Sequence, residues 1–313
     1  MIKFLLQRVL ATIPVLLVVA VVVFLILRLT PGDPAAVIAG NNATNEDIDR
    51  IRQQLGLNLP LLQQFFVWFG KVLQGDLGFS FYLNKPVVEL IAQRIEPTLS
   101  LAAGTMALAV LIAVPLGTIA AWRMGGWLDK LLMGFSVLGF SVPVFVTAYV
   151  LIYVFALKLG WFPVQGYARI AQGVGAWAHQ LVLPCLTLAC IYVALIARVT
   201  RASVSEALTE DHVRTARAKG LGELSVLLRH ALRNAAVPIV TVIGIGVALL
   251  IGGVVVTETV YAIPGLGSLT VDAVLNRDFP IIQGVILFFS FTYVLINLGV
   301  DLSYLALDPR IRY

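Results

Sequence analysis

Long uncharged stretches alternate with charged segments along the chain. Each uncharged stretch contains between 18 and 27 residues. About 20 residues of α-helix cross a hydrocarbon core about 30 Å thick. The pattern therefore predicts an all-α membrane protein with six transmembrane helices. The stretches are residues 9–27, 97–122, 131–157, 180–197, 234–257 and 279–300.

The polar region between the first two stretches contains two amphipathic segments. Apolar residues recur at helical spacing in residues 45–57 and 60–74, and the second segment carries a cluster of aromatic side chains. Such aromatic residues are typical of a membrane interface or a small packed subdomain. We therefore expect residues 31–96 to form an extracytoplasmic cap. This cap separates the first helix, residues 1–30, from a five-helix core at 97–313.

A second polar region lies between the fourth and fifth stretches. Thr209 and Asp211 are residue types that cap the start of a helix, Gly220 and Gly222 are types that end one, and Glu223 can open the next. The spacing predicts a folded elbow at residues 200–233 rather than a slack loop. The first of its three helices is expected to end near residue 208, the second to span 211–219 and the third to span 223–234.

The distribution of Lys and Arg predicts the orientation in the membrane. The connections 1–8, 122–130, 198–233 and 308–313 hold 13 basic residues in 59 positions. The connections on the opposite side, 31–96, 158–178 and 259–279, hold 8 in 108 positions. Because basic residues collect on the cytoplasmic side, both termini and the elbow are expected to lie in the cytoplasm.

Composition supports a membrane protein without catalytic chemistry of its own. The chain is 59% hydrophobic and 12% charged, with a mean hydropathy of +0.94. Its net charge of +5 does not indicate nucleic-acid binding, because the basic residues lie beside the apolar stretches. No P-loop, GxSxG or HExxH motif occurs, so neither ATP binding, nor a cofactor, nor a metal site is expected in this chain.

Three ionisable residues stand at the ends of uncharged stretches. They are Arg28, Glu258 and Asp301. A charge in lipid is costly, so such residues are usually paired, interfacial or functional. For Glu258, the alternative to a paired charge is a contact at an extracytoplasmic gate or with a delivery protein.

Four motifs in order resemble the permease subunits of ABC importers, and more narrowly their peptide/nickel class. The elbow carries RTARAKG at 214–220 followed by HALRN at 230–234, which is similar to the cytoplasmic EAA loop of these permeases. Arg214 and Arg233 stand where the wider superfamily tends to have an acidic residue and a proline. The other motifs are LRLTPGDPA at 27–35, ETVYAIPGLGSL at 258–269 with RDFP at 277–280, and DLSYLALDPRIRY at 301–313.

The resemblance implies a type I ABC-importer permease fold in a bacterial inner membrane. It implies a second, usually different, permease, two ATPase subunits that bind ATP and Mg, and an extracytoplasmic solute-binding protein. Short peptides are the expected cargo, with nickel complexes or glutathione as alternatives. An ion-coupled secondary transporter fits less well, because the uncharged stretches carry no ionisable residue at mid-membrane.

The resemblance also implies which residues act. In the elbow, small residues would allow close approach to the ATPase, and Arg214, Arg217 and Lys219 would offer it charged hydrogen bonds. The coupling residues are expected to be Glu206, Asp211, Arg214, Ala216, Arg217, Ala218, Lys219 and Gly220. The extracytoplasmic gate or binding-protein contact is expected at Glu258, Pro264, Gly265, Gly267 and Asp278.

Polar residues inside the stretches are candidates for lining the transport path. Ser136, Ser141, Thr147 and Thr241 are named for this role. The alternative is that each hydroxyl bonds its own helix backbone or a neighbouring helix, as Ser and Thr commonly do in membrane helices.

Overall fold

The computed structural model describes residues 2–29, 35–36, 44–54, 56–80 and 82–307. Parts of the motifs at 27–35 and 301–313 lie outside these residues. The helices and strands are α1 (Ile2–Leu29), α2 (Asn45–Gln54), α3 (Leu61–Leu73), β1 (Phe79–Ser80), β2 (Lys85–Pro86), α4 (Val87–Trp122), α5 (Trp127–Ser141), α6 (Val144–Leu151), α7 (Val174–Ala207), α8 (Asp211–Ala218), α9 (Glu223–Ser225), α10 (Leu232–Asn234), α11 (Ala236–Gly253), α12 (Val255–Val260), α13 (Leu266–Leu275) and α14 (Phe279–Leu307). Two π-helical segments, Ile152–Lys158 and Val226–Ala231, and a 3₁₀ turn, Ile170–Gln172, join them.

The chain divides into two compact units, and α4 and α14 contribute residues to both. The first unit consists of Met1–Glu96 with Gly265–Val294, and the second of Pro97–Pro264 with Leu295–Tyr313. The first unit contains α1–α3, the hairpin β1–β2, α13, and the parts of α4 and α14 that fall within its ranges. The second contains the remaining helices, including the elbow.

The first unit has an apolar core formed by three helices. Side chains from the start of α4 pack against α13 and the start of α14. The fully or nearly fully buried members are Val87, Leu90, Ile91, Leu266, Leu269, Ala273, Ile281 and Val285. On α3, Phe65, Trp68 and Phe69 form an aromatic cluster with Phe24 of α1. The amphipathic segments at 45–57 and 60–74 thus contain the helices α2 and α3, as their periodicity predicts.

The second unit is organised around the 34-residue helix α7. Its side chains form much of the largest apolar cluster, where Ile196, Ala197 and Leu183 are at most 1% exposed. Two glycines allow close helix crossings there. A Cβ on Gly117 of α4 would lie 2.6 Å from the carbonyl oxygen of Ala197, and one on Gly139 of α5 would lie 3.0 Å from Cβ of Ala194.

Four helices among the described residues are long and apolar enough to cross a membrane. They are Val87–Trp122, Val174–Ala207, Ala236–Gly253 and the Phe279–Tyr304 part of α14. A fifth span is obtained if α5 and the helix Val144–Lys158 are taken together. Within α1 the apolar stretch Leu10–Ile26 is among the shorter apolar helices, of 10–17 residues, which are not counted as spans. The count of six therefore stays a prediction.

The predicted third span, residues 131–157, is broken instead of straight. The two helices on either side of the break differ in direction by 105°. Pro143 lacks an N–H group and restricts the residue before it, and Val142 accordingly has extended backbone angles (φ −86°, ψ 122°). Hydropathy cannot reveal this bend, because both halves are equally apolar.

Candidate functional site

The elbow contains the three helical parts that its sequence predicts. Helix α7 ends at Ala207, α8 is a separate short helix, and a third helical run leads from Glu223 to Asn234 with a π-helical segment at its centre. The predicted caps differ. Glu210 occupies the N-cap of α8, and the hydroxyl of Thr209 donates instead to the Glu206 carbonyl oxygen, 2.7 Å away.

Gly220 ends α8 through a Schellman motif. Its φ is +79°, in the left-handed region that side chains disfavour. The Gly220 N–H donates to the Arg217 carbonyl at 2.9 Å, and the Leu221 N–H donates to the Ala216 carbonyl at 3.3 Å. Gly220 is therefore required by the backbone geometry of the turn.

One face of α8 packs on the elbow's own small core. Val213 is 0% exposed and Ala216 is 4% exposed, and both contact the buried Val226 with Leu208 alongside. The role expected for Ala216 changes accordingly: its side chain faces inward and is not available to a partner subunit. Ala218, by contrast, is exposed.

The opposite face of α8 is charged and open. Asp211, Arg214 and Arg217 on α8 are exposed, as are Lys219 at its C-cap and Glu206 on the preceding helix α7. Arg217 forms two hydrogen bonds to Glu223, at 2.9 and 3.1 Å, so it closes the turn between the helices. Arg214 lies 3.5 Å from Asp211, and within the described chain Lys219 forms no ion pair. Both basic side chains are thus exposed to solvent on this part of the elbow.

Glu210 ties the two ends of the elbow together. Its carboxylate accepts hydrogen bonds from the Asn234 side-chain amide, 3.1 Å from each oxygen, and lies 3.0 Å from Nδ1 of His212. The start of α8 is thus fixed to the point where the chain re-enters an apolar helix. Sequence reasoning missed this contact, because the two residues are 24 positions apart.

A mostly buried ion pair between the start of the elbow and α5 also escaped the sequence analysis. Arg201, near the end of α7, donates from Nε and Nη2 to the two carboxylate oxygens of Asp129, at 2.6 and 2.8 Å. Asp129 also accepts the Gly125 N–H at 2.9 Å and is only 4% exposed as a residue. The sequence signal for this pair is an acidic residue just before the predicted span 131–157 and a basic residue just after the predicted span 180–197.

Two of the proposed path-lining hydroxyls are committed elsewhere. Ser136 is 2% exposed and donates to the Leu132 and Ala194 carbonyls, so it lies between α5 and α7 and lines no path within this chain. Thr241 donates to the Val237 carbonyl and accepts from the Tyr304 hydroxyl, 2.8 Å away.

The other two path-lining candidates are more accessible. Ser141 is exposed but bonds its own helix through the Val137 carbonyl. Thr147 is half-buried on α6. The alternative that Ser and Thr bond their own backbone describes Ser136, Ser141 and Thr241.

In the second unit, Glu258 is not a surface contact. It is 0% exposed, and Oε1 accepts a hydrogen bond from the Thr98 hydroxyl at 2.6 Å. Three residues later, Tyr261 is 1% exposed and its hydroxyl lies 2.8 Å from the Thr187 hydroxyl. The motif's side chains thus anchor the following turn to α4 and α7, and Pro264 is exposed beyond it.

In the first unit, the remaining gate candidates are also buried. Gly265 and Gly267 are buried at the start of α13. Asp278 is 4% exposed and accepts a hydrogen bond from the Ser80 hydroxyl at 2.5 Å, which ties the hairpin to the start of α14. Of the five gate candidates, only Pro264 is exposed.

Stability should become less dependent on pH when Asp278 is replaced by asparagine. Burial raises the pKa of Asp278 above its ordinary value of 3.8, although bonds from Ser80 and backbone N–H groups oppose the shift. A raised pKa means that the folded chain favours the neutral acid, so this group contributes most stability below pH 3.8 and loses it as pH rises through the folded pKa.

Thermal unfolding of wild-type and Asp278→Asn protein, followed from about pH 8 to about pH 4, checks this expectation. The variant should be at least as stable as wild type near neutrality, and the difference should shrink on acidification. A difference that is constant across the range contradicts it.

Comparison with known proteins agrees with a transport subunit built of membrane helices. A family model described as "Binding-protein-dependent transport system inner membrane component" matches residues 113–313, and the model of its N-terminal part matches residues 1–102. The chain therefore belongs to this family. It is a multi-pass membrane permease of the peptide/nickel class of ABC importers.

Similar proteins cover the full length of the chain. A probable peptide ABC transporter permease protein, y4tP, of Sinorhizobium fredii is 54% identical over 99% of both chains. The glutathione transport system permease protein GsiC of Escherichia coli K12 is 45% identical over 100% of both chains. A putative peptide transport system permease protein of Brucella abortus is 44% identical over 98% of each.

A solved structure shows the fold. An inward-facing conformation of the MetNI methionine ABC transporter matches with a TM-score of 0.58 at 17% identity, and the match covers 70% of this chain and 96% of that one. The expected type I importer fold is thereby confirmed.

Proposed function

We propose that this chain forms, with a second and different permease, the membrane pathway for short peptides delivered by a solute-binding protein. The observation that carries the proposal is the 54% identity, over 99% of both chains, to a protein named as a probable peptide permease. ATP hydrolysis is assigned to two partner ATPase subunits, as the resemblance to ABC-importer permeases implies, and the sequence contains no P-loop motif.

The elbow is proposed as the surface that docks an ATPase subunit. Three observations support this role: α8 is held rigidly by its small core, its ends are closed by Gly220 and by Glu210, and its outer face presents Arg214 and Lys219. A charged, preorganised helix loses little entropy when it binds a complementary surface. The elbow and both termini would then be cytoplasmic, in a bacterial inner membrane, and residues 31–96 would face the opposite side.

Glutathione is the second candidate cargo. It is favoured by the 45% identity to a glutathione permease, and glutathione is itself a short peptide. Nickel complexes are the third candidate cargo within the same class of permeases.

Reconstitution tests the proposal. The chain is co-expressed with its partner permease, ATPase and binding protein, purified by a tag on this chain, and placed in lipid vesicles. We expect two ATPase chains per complex, and ATP-dependent uptake of labelled di- and oligopeptides above that of glutathione. Purification without ATPase chains rejects the docking role. Uptake of glutathione or a nickel complex alone replaces the peptide assignment.

A further inference from the structure

We propose that the ion pair between Asp129 and Arg201 is the joint through which movement of the elbow reaches α5. The inference rests on the proposed function, since it concerns how the docked elbow moves the membrane helices. Neither residue is assigned a contact with cargo or nucleotide. They are positioning residues.

The joint lies at the start of the elbow, on the last two turns of α7. Arg201 precedes the end of α7 at Ala207 by six positions, less than two helical turns, and Asp129 lies in the first turn of α5. A displacement of α8 that is passed along the end of α7 therefore reaches Arg201 within two helical turns, past Val204 and Ala207, which pack in a cluster with Ala121 of α4. From there the ion pair leads directly into α5 and the bent pair that α5 forms with Val144–Lys158.

The geometry of the pair suits the transmission of movement. A planar guanidinium that faces both oxygens of a carboxylate fixes orientation as well as distance, so α5 can neither rotate nor slide on α7 without breaking two charged bonds. The Gly125 N–H gives Asp129 a third donor at 2.9 Å. The carboxylate is thus held on both sides, by α7 and by the connection that precedes α5.

Neighbouring contacts show why the pair is needed at this end. Further along the two helices, α5 and α7 are joined by small residues, where the Ser136 hydroxyl reaches the Ala194 carbonyl at 3.3 Å and Gly139 faces Ala194. The Ser136 bond is a single neutral hydrogen bond, weaker than a charged pair with two bonds, and the packing of the small residues is not directional. The side chains of Asp129 and Arg201 are 6% and 25% exposed, so solvent competes weakly for their bonds.

An apolar replacement of both residues separates a coupling role from a merely structural one. Replacing a buried ion pair with apolar side chains of similar volume often preserves stability, whereas removing one partner strands a charge. The variant with Asp129→Leu and Arg201→Met should therefore fold and assemble but lose the fixed orientation of α5 on α7. We expect transport per ATP hydrolysed to fall by about tenfold, within the range usual for coupling between sites, while ATPase subunits still co-purify.

The experiment uses the complete importer in vesicles, with transport and ATP hydrolysis measured together. Lys130→Gln is the matched control, because it removes an exposed charge next to Asp129 and should leave the ratio unchanged. If the double variant transports as much cargo per ATP hydrolysed as wild type, the ion pair is not the joint. An equal loss in the control also overturns the joint, since the effect would then arise from any charge removed at the start of α5 and not from the pair.

A further variant covers failed assembly. If the double variant does not assemble, Arg201→Lys decides: it keeps a positive charge opposite Asp129 but not the planar guanidinium that binds both oxygens, so normal coupling overturns the joint and a lowered ratio supports it. The ratio is read with whichever cargo the wild-type complex moves. Lack of peptide uptake by wild type therefore rejects the peptide assignment and leaves the test of the joint intact.

Discussion

Replacing Gly220 by proline is expected to abolish transport while the chain still inserts into the membrane. Proline is confined to φ near −65°, whereas Gly220 has a φ of +79°. Proline also lacks the N–H that Gly220 donates to the Arg217 carbonyl. The combined cost is about 3 kcal/mol or more, which exceeds what a helix as short as α8 can absorb. The outer face of α8 would then lose its fixed position.

The matched control for this change is Gly222→Pro, two positions further on. Gly222 has a φ of −63° and a ψ of 143°, which proline adopts without strain, and a Cβ there would meet nothing within 4 Å. Uptake in vesicles and co-purified ATPase, both normalised to the amount of inserted chain, are the measurements. Transport should be lost only in Gly220→Pro. Wild-type transport by both variants would show that the end of α8 has no part in coupling.

The secondary structure was largely predictable because its signals are local. Uncharged stretches mark helices wherever lipid is the solvent, since a helix satisfies its own backbone groups. In the elbow, the helix breaks follow from residue types within a few positions, such as Gly220 and Glu223. The bend before Val144 shows the limit of such prediction. An apolar stretch with a proline can form either one kinked span or two separate helices, and here the two helices differ in direction by 105°.

The orientation of individual side chains was less predictable because it depends on distant partners. Ala216 was assigned to a partner surface from its small size, yet its face is set by Val226 on the returning helix. Asp278 is bound to Ser80, which is 198 positions away, and Arg201 to Asp129 at 72 positions. Residue type and spacing indicate that such charges need partners, but only the packed helices determine which ones.

Replacing Gly117 by alanine should destabilise the second unit more than its size suggests. A Cβ at this position would lie 2.6 Å from the Ala197 carbonyl oxygen and 2.7 Å from Cβ of Thr200. Both atoms belong to the backbone or the rigid base of a β-branched side chain on α7, so neither can swing away. Overpacking of this kind costs about 1–3 kcal/mol, and α4 and α7 must separate to relieve it.

The midpoint of thermal unfolding of the purified chain measures this effect. It should fall by roughly 5 °C, because 1 kcal/mol corresponds to about 2–4 °C in a domain of about 150–250 residues. Gly134→Ala on α5 is the control, since a Cβ there meets nothing within 4 Å. Its alanine should leave the midpoint unchanged or raise it slightly, because alanine favours helix more than glycine does. If both variants unfold at the wild-type temperature, α4 and α7 do not cross as closely as Gly117 requires, and the end of α7 that carries Arg201 is held less firmly than the joint needs.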